Sequence, residues 1–153
     1  MSFKSVDDIL AYAIEKENEA VNFYTDLSNK DNFKSVKETF ISFAKEEQKH
    51  ADLLSGLSSD KSKVNEYELK AIPDLKISDY LVDTEYKEGM FMQDILRIAM
   101  KREEMAVKLY KDLATKTDNS EVIKVLNILA QEESKHKLGL ETMYDDFLAA
   151  NEN

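Results

Sequence analysis

The chain has 153 residues, 42% hydrophobic and 34% charged, with a net charge of −10; that length favours one domain with a core large enough to need no staples. The anionic balance argues against nucleic acid and anionic membranes as partners and suits a protein that attracts metal cations. The absence of cysteine excludes disulfides, thiolate zinc sites and iron–sulfur clusters, and three glycines and one proline are too few for an all-β fold or glycine-loop α/β folds.

Met1 to Leu10 carries Asp7 and Asp8 and no apolar run, so it does not read as a signal peptide. No stretch approaches the ~18 consecutive apolar residues of a transmembrane helix. A soluble cytoplasmic protein is expected. Hydrophobic periodicity then predicts four helices. The first spans about 5–29, with Ser5 as N-cap and an apolar stripe of Leu10, Ala13, Ala20, Tyr24 and Leu27. The second spans about 33–57 and presents Val36, Phe40, Phe43 and Leu54. The third spans about 88–115, with Leu96, Ala99, Ala106, Tyr110 and Leu113. The fourth spans about 120–149, with Val122, Leu126, Leu129 and Leu140. Alternating steps of three and four residues mark the seams of near-parallel helix packing. Short polar links join helices 1 and 2, and 3 and 4, into antiparallel hairpins. Residues 58–87, with Pro73, form a long crossover that Leu75, Ile77, Tyr80 and Leu81 could anchor.

The second hairpin repeats the first at an offset of 86. Laid without gaps, Ala13–Leu57 and Ala99–Met143 are identical at 15 of 45 positions, against about three by chance at ordinary residue frequencies. Two such hairpins make a pseudo-twofold all-α four-helix bundle in a single domain, 1–153. The long crossover also lets one hairpin find its partner in a second chain at little cost. A homodimer is therefore expected, with or without hairpin exchange.

Some seam positions are not apolar. The stripes place Glu17 on helix 1, Glu103 on helix 3, Glu47 and His50 on helix 2, and Glu133 and His136 on helix 4. Glu17 lies fifteen residues before the turn near Asn32 and Glu47 fifteen after it, so they share one level. Glu103 and Glu133 stand in the same relation to Asp118. Each buried ion costs several kcal/mol, and like charges at close range add repulsion. No Lys or Arg occupies the seams. Two divalent cations would balance four glutamates, and oxygen-plus-imidazole ligation suits iron, manganese or zinc. One Glu from each of two helices plus Glu-x-x-His from each of the others is the arrangement of ferritin-like di-metal bundles. A lone Glu-x-x-His has little weight, since i,i+3 pairs often sit on solvated faces. Here both histidines of the chain carry the motif, in the same register of the repeat.

Tyr24 and Tyr110 lie seven residues beyond Glu17 and Glu103 on the same face. They read either as hydroxyl partners of ligand carboxylates or as plain core residues. Glu46 and Glu132 fall off the seam and read as solvated, as do Lys49, Lys135 and the remaining charges. The six methionines read as core filler.

The stretch Glu17-Asn-Glu-Ala20-Val-Asn-Phe-Tyr24 resembles the first-helix motif of the rubrerythrin family. Glu46-Glu47-Gln-Lys-His50 resembles its second-helix motif, and Glu103-Glu-Met-Ala106 and Glu132-Glu133-Ser-Lys-His136 resemble those of the second half. The crossover phrase Ile72 to Leu81 is also similar to crossovers of related proteins. The resemblance implies a ferritin-like bundle holding two iron ions, with manganese or zinc as other metals it could contain. It implies Glu17, Glu47, His50, Glu103, Glu133 and His136 as ligands, dioxygen or hydrogen peroxide as oxidant, and a separate electron-donor protein. Two features depart from peroxidase-type rubrerythrins. There is no cysteine for a rubredoxin domain, and Ala106 stands where those proteins carry an extra glutamate. The six-residue set is thus closer to a symmetric bacterioferritin-type ferroxidase centre. Iron handling without sustained turnover is the first rival to a redox enzyme. A purely structural bundle whose polar core fixes register is the second.

Overall fold

The computed structural model describes residues 3–57 and 85–150. Helix α1 spans Val6–Ser28, a 3-10 turn spans Asp31–Val36, and α2 spans Lys37–Leu57. Helix α3 spans Met92–Ala114 and α4 spans Ser120–Ala150. Ser5 caps α1 as expected: its backbone is extended and its hydroxyl accepts from the Asp8 N–H at 3.2 Å. Asn119 does the same for α4, its side-chain oxygen accepting from the N–H groups of Glu121 and Val122 at 3.1 Å each.

Two helix starts differ from the periodicity. Helix 2 was expected from about residue 33, but its first turn is a 3-10 segment with a kink at Phe33 (φ −119°, ψ 27°). The kink lets the fully buried Phe33 plug the end of the hairpin. Helix 3 was expected from about residue 88 and begins at Met92. Gly89 takes a left-handed conformation (φ +87°) that ends any earlier helix. Asp94 then accepts from the Phe91 N–H at 3.2 Å, which fixes the start.

Among the described residues the core is two apolar clusters. One joins Ile9, Leu10 and Ala13 of α1 to Leu54 and Leu57 of α2, Leu113 of α3, and Val122 to Leu129 along the start of α4. The other joins Tyr24 and Leu27 of α1 to Phe40 of α2, Ile95 to Met100 along α3, and Leu140 of α4. Glu17, Glu47, Glu103 and Glu133 fall between these stretches on their helices, so a polar layer separates two apolar ones. The cluster memberships also give direction. The start of α1 meets the ends of α2 and α3 and the start of α4, so α1 and α4 run parallel, opposite to α2 and α3. This is an all-α four-helix bundle. Helix α2 ends at the first cluster and α3 begins at the second, at opposite ends of the bundle. The predicted crossover anchors Leu75, Ile77, Tyr80 and Leu81 lie outside the described residues.

Candidate metal centre

All six predicted site residues are buried and meet in the polar layer. They form two overlapping groups: Glu17, Glu47, His50 and Glu133; and Glu47, Glu103, Glu133 and His136. Within each group one donor atom per residue lies within 4.8 Å of the others. Glu47 and Glu133 belong to both. The repeat is visible in the distances. His50 Nδ1 lies 3.0 Å from Glu133 and 3.5 Å from Glu17. His136 Nδ1 lies 2.9 Å from Glu47 and 3.5 Å from Glu103. The two imidazole rings are 6.1 Å apart and nearly parallel.

Both tyrosines are hydroxyl partners. The Tyr24 O–H donates to Glu103 at 2.6 Å, and the Tyr110 O–H donates to Glu17. Each hydroxyl therefore crosses to the other hairpin and orients a carboxylate there. Burial, reinforced by Glu103 beside Tyr24 and Glu17 beside Tyr110, raises both phenols well above their ordinary value. They stay protonated and remain donors.

The carboxylates do not share their charge evenly. Burial, with Glu103 close by, raises Glu47 and Glu133 well above the ordinary carboxylate value. Burial also pushes Glu103 up, but the close Glu133, the His136 charge and the Tyr24 hydroxyl outweigh it and leave it lowered. Burial disfavours a charged His136, yet Glu103, Glu46 and Glu47 outweigh that and push it up to about 12. Without a cation the layer therefore keeps protons.

The layer fits metal ions. Glu17 Oε2, Glu47 Oε1, Glu103 Oε2, Glu133 Oε1, His50 Nδ1 and His136 Nδ1 are buried with no hydrogen-bond partner. Close as these atoms are, their alignment makes no hydrogen bonds among them. Native structures rarely leave buried polar atoms in this condition without an ion or water to explain them. One such atom comes from each of the six residues, all oxygen or imidazole nitrogen, the donor set of iron, manganese and zinc.

Glu46 corrects the sequence reading. It was expected to be solvated, but its carboxylate accepts from His136 Nε2 while 44% of its side chain remains exposed. That bond lowers the Glu46 carboxyl and leaves His136 Nδ1 facing the carboxylates. Phe43 stacks on the same imidazole at 4.2 Å. Periodicity missed Glu46 because the contact crosses from α2 to α4; its adjacency to Glu47 was the only signal. Other charges read as solvated are also buried. Lys137 and Glu141 pair along α4 at 3.4 Å. Glu104 lies between Lys101 at 3.3 Å and Lys108 at 2.8 Å. Their i,i+3 and i,i+4 spacing was legible, but their burial was not.

A cavity of about 420 Å³ opens between α1 and α3 and reaches the layer. The four glutamates and both tyrosines line its floor. Ala20, Ala106, Lys16, Glu19 and Arg102 also line it. The two alanines are seam positions that stay only partly buried, which the cavity explains. Among the described residues, no helix is long and apolar enough to cross a membrane.

No curated protein matches the chain. The fold is similar to the solved structure of a hypothetical protein from Pyrococcus furiosus. The two are 29% identical, with a TM-score of 0.69, over 98% of this chain and 94% of that one. The rubrerythrin family model matches residues 8–93 and 94–152. Two matched segments that cover nearly the whole sequence, with a Glu/His cluster at the centre of an all-α ferritin-like bundle, place the chain in the rubrerythrin family.

Proposed function

We propose that this protein is a di-iron oxidoreductase that acts on dioxygen or hydrogen peroxide with electrons from a separate donor protein. The observation that carries the reading is the six buried, unpartnered donor atoms in two overlapping groups. Glu17 and His50 would hold one ion, Glu103 and His136 the other, with Glu47 and Glu133 shared. Two divalent cations match four carboxylates in charge. Bound iron supplies one-electron redox chemistry and Lewis acidity toward an oxidant. The chain's own residues do the rest. Tyr24 and Tyr110 hold Glu103 and Glu17 in place, the apolar clusters exclude water from either side, and the cavity admits small molecules from solvent. A cytoplasmic homodimer, with or without exchanged hairpins, belongs to this reading; sedimentation of metal-loaded protein showing only monomer at micromolar concentration would remove the dimer.

The symmetry of the six-residue set favours one alternative, iron handling without sustained turnover. Loading with ferrous iron under anaerobic conditions, followed by stopped-flow mixing with peroxide and a reductant, separates the two. Repeated oxidation and reduction supports the oxidoreductase. A single stoichiometric oxidation supports handling. Metal analysis finding no bound iron after loading refutes both.

A further inference from the structure

The cavity between α1 and α3 meets the site residues unequally. All four site glutamates line it, and neither histidine does. The unpartnered oxygens of Glu17, Glu47, Glu103 and Glu133 therefore belong to residues of its lining, and the unpartnered imidazole nitrogens lie beyond them. Met105, 52% exposed, marks the solvent side. The layer is covered elsewhere by apolar clusters on either side. At His136 it is also covered by the stacked Phe43 and by Glu46, which accepts from Nε2.

Size and charge suit a hydrated cation. A divalent ion with six waters occupies roughly 200 Å³, at about 30 Å³ per water, and the cavity holds about 420 Å³. An ion of that size enters with its waters and loses them where carboxylates replace them. Glu19 adds a fifth carboxyl group to the lining, against Lys16 and Arg102. Even with protons held on Glu47 and Glu133, the ionised carboxylates outnumber the cations, in a chain of net charge −10. A cleft of that sign concentrates cations and speeds their arrival. Lys16 pairs with Glu19 at 3.3 Å, but the two side chains are 38% and 49% exposed. Such a pair is weak, and Glu19 is free to turn toward a passing ion. Ala20 of α1 and Ala106 of α3, equivalent in the repeat, present only methyl groups to the passage.

We infer that this cavity is the port through which metal ions enter and leave the layer, meeting carboxylate oxygens first and the imidazoles of His50 and His136 last. The inference rests on the metal-binding reading. A port acts on rates and not on affinity. It speeds entry and exit alike, because the bound state is the same by whatever route it is reached.

Stopped-flow mixing of metal-free protein with cobalt(II), followed by visible absorption, gives the association rate, and a chelator chase gives the release rate. Ala106→Leu should slow both by roughly tenfold or more, because ions must then wait for local opening of the helices. The equilibrium affinity should stay unchanged. Ala20→Leu, on the other helix, should do the same and serves as the test should Ala106→Leu fail to fold. Glu19→Gln should slow association severalfold, and Lys16→Gln should speed it. Lys49→Gln makes the same charge change at an exposed position outside the lining and should alter neither rate. Alanine variants that load as fast as the native protein, or that lose affinity with an unchanged association rate, overturn the port and leave the metal reading intact. An effect of Lys49→Gln as large as that of Lys16→Gln overturns steering by the cavity. Failure of the native protein to bind cobalt overturns both the port and the metal reading.

Discussion

The two hairpins carry the same site residues 86 positions apart, yet they do not surround their histidines alike. His136 is held on two sides, by Glu46 at Nε2 and by Phe43 stacked on its ring. The repeat places Glu132 and Leu129 at the positions of Glu46 and Phe43. Glu132 lies against Lys135 of its own helix at 3.5 Å. Leucine has no ring to stack. The tyrosines behave in the opposite way, because both cross the bundle and both hold a glutamate. Duplication thus conserved what faces the layer, and the two halves diverged in what lies behind it. A carboxylate behind a ligand histidine fixes its orientation and raises its basicity, so the His136 half should hold its ion more tightly.

The largest expected effect treats both halves together. Stripping metal with chelator should leave a protein whose melting temperature is highest near pH 5–6 and falls toward pH 8. The sign follows from raised values in the folded state. Glu47 and Glu133, one from each hairpin, keep protons that the unfolded chain releases above its ordinary carboxylate value. His136, raised to about 12, does the same above the ordinary histidine value. The folded state then binds more protons, so stability is full below the unfolded values and is lost as pH rises. The lowered Glu46 and Glu103 act oppositely, and their contribution is lost in acid. Metal should reverse the alkaline trend, because it binds the ionised form. Melts at pH 5.5 and 8, with and without metal, check this; metal-free protein equally stable at both would count against the shared protons.

Removing one histidine should come next and should split the halves. His50→Ala and His136→Ala should each weaken one ion by at least about 100-fold, since even residues behind the ligands are worth about 10–100-fold. The ion left in His50→Ala, held by the His136 half, should dissociate more slowly than the ion left in His136→Ala. Chelator competition on each variant measures both rates, and equal rates would erase the asymmetry. Lys49→Ala, adjacent to His50 but exposed, should change neither.

Glu46 isolates the cause. Glu46→Ala should lower the affinity of one ion by about 10–100-fold. Glu46→Gln keeps an acceptor for the imidazole N–H and should recover part of that loss. Glu132→Ala should cost less than Glu46→Ala, because it pairs with the half-exposed Lys135 of its own helix, an i,i+3 pair worth about 0–1 kcal/mol. Similar losses from Glu46→Ala and Glu132→Ala in metal titrations would assign the effect to surface charge rather than to His136.

The effect of removing a tyrosine hydroxyl should be symmetric. Tyr24→Phe and Tyr110→Phe each remove one hydrogen bond to a buried carboxylate, worth about 1.5–3 kcal/mol in such settings. Bound metal would compensate part of this. Denaturant titration of the two loaded variants should give matching losses. A clear difference between them would extend the asymmetry into the layer.

Helical facing is a local property, and the sequence carried it well. Steps of three and four residues located α1 and α4 to within a residue or two of each end. They also put Glu17, Glu47, His50, Glu103, Glu133 and His136 on inward faces, because side chains three and four apart share one side of any helix. The 86-residue repeat fixed their common level. Where chain direction depends on one backbone conformation or one buried plug, periodicity overran the helix starts, as at Gly89 and Phe33. Partnership across helices was decided only in the folded bundle. Nothing in the spacing of α2 says that Glu46 reaches a histidine on α4, that Tyr24 donates to Glu103 of the other hairpin, or that Ala20 and Ala106 leave room for a cavity. Those contacts depend on which helices become neighbours and how closely their axes approach, and that is set by the packing of all four at once.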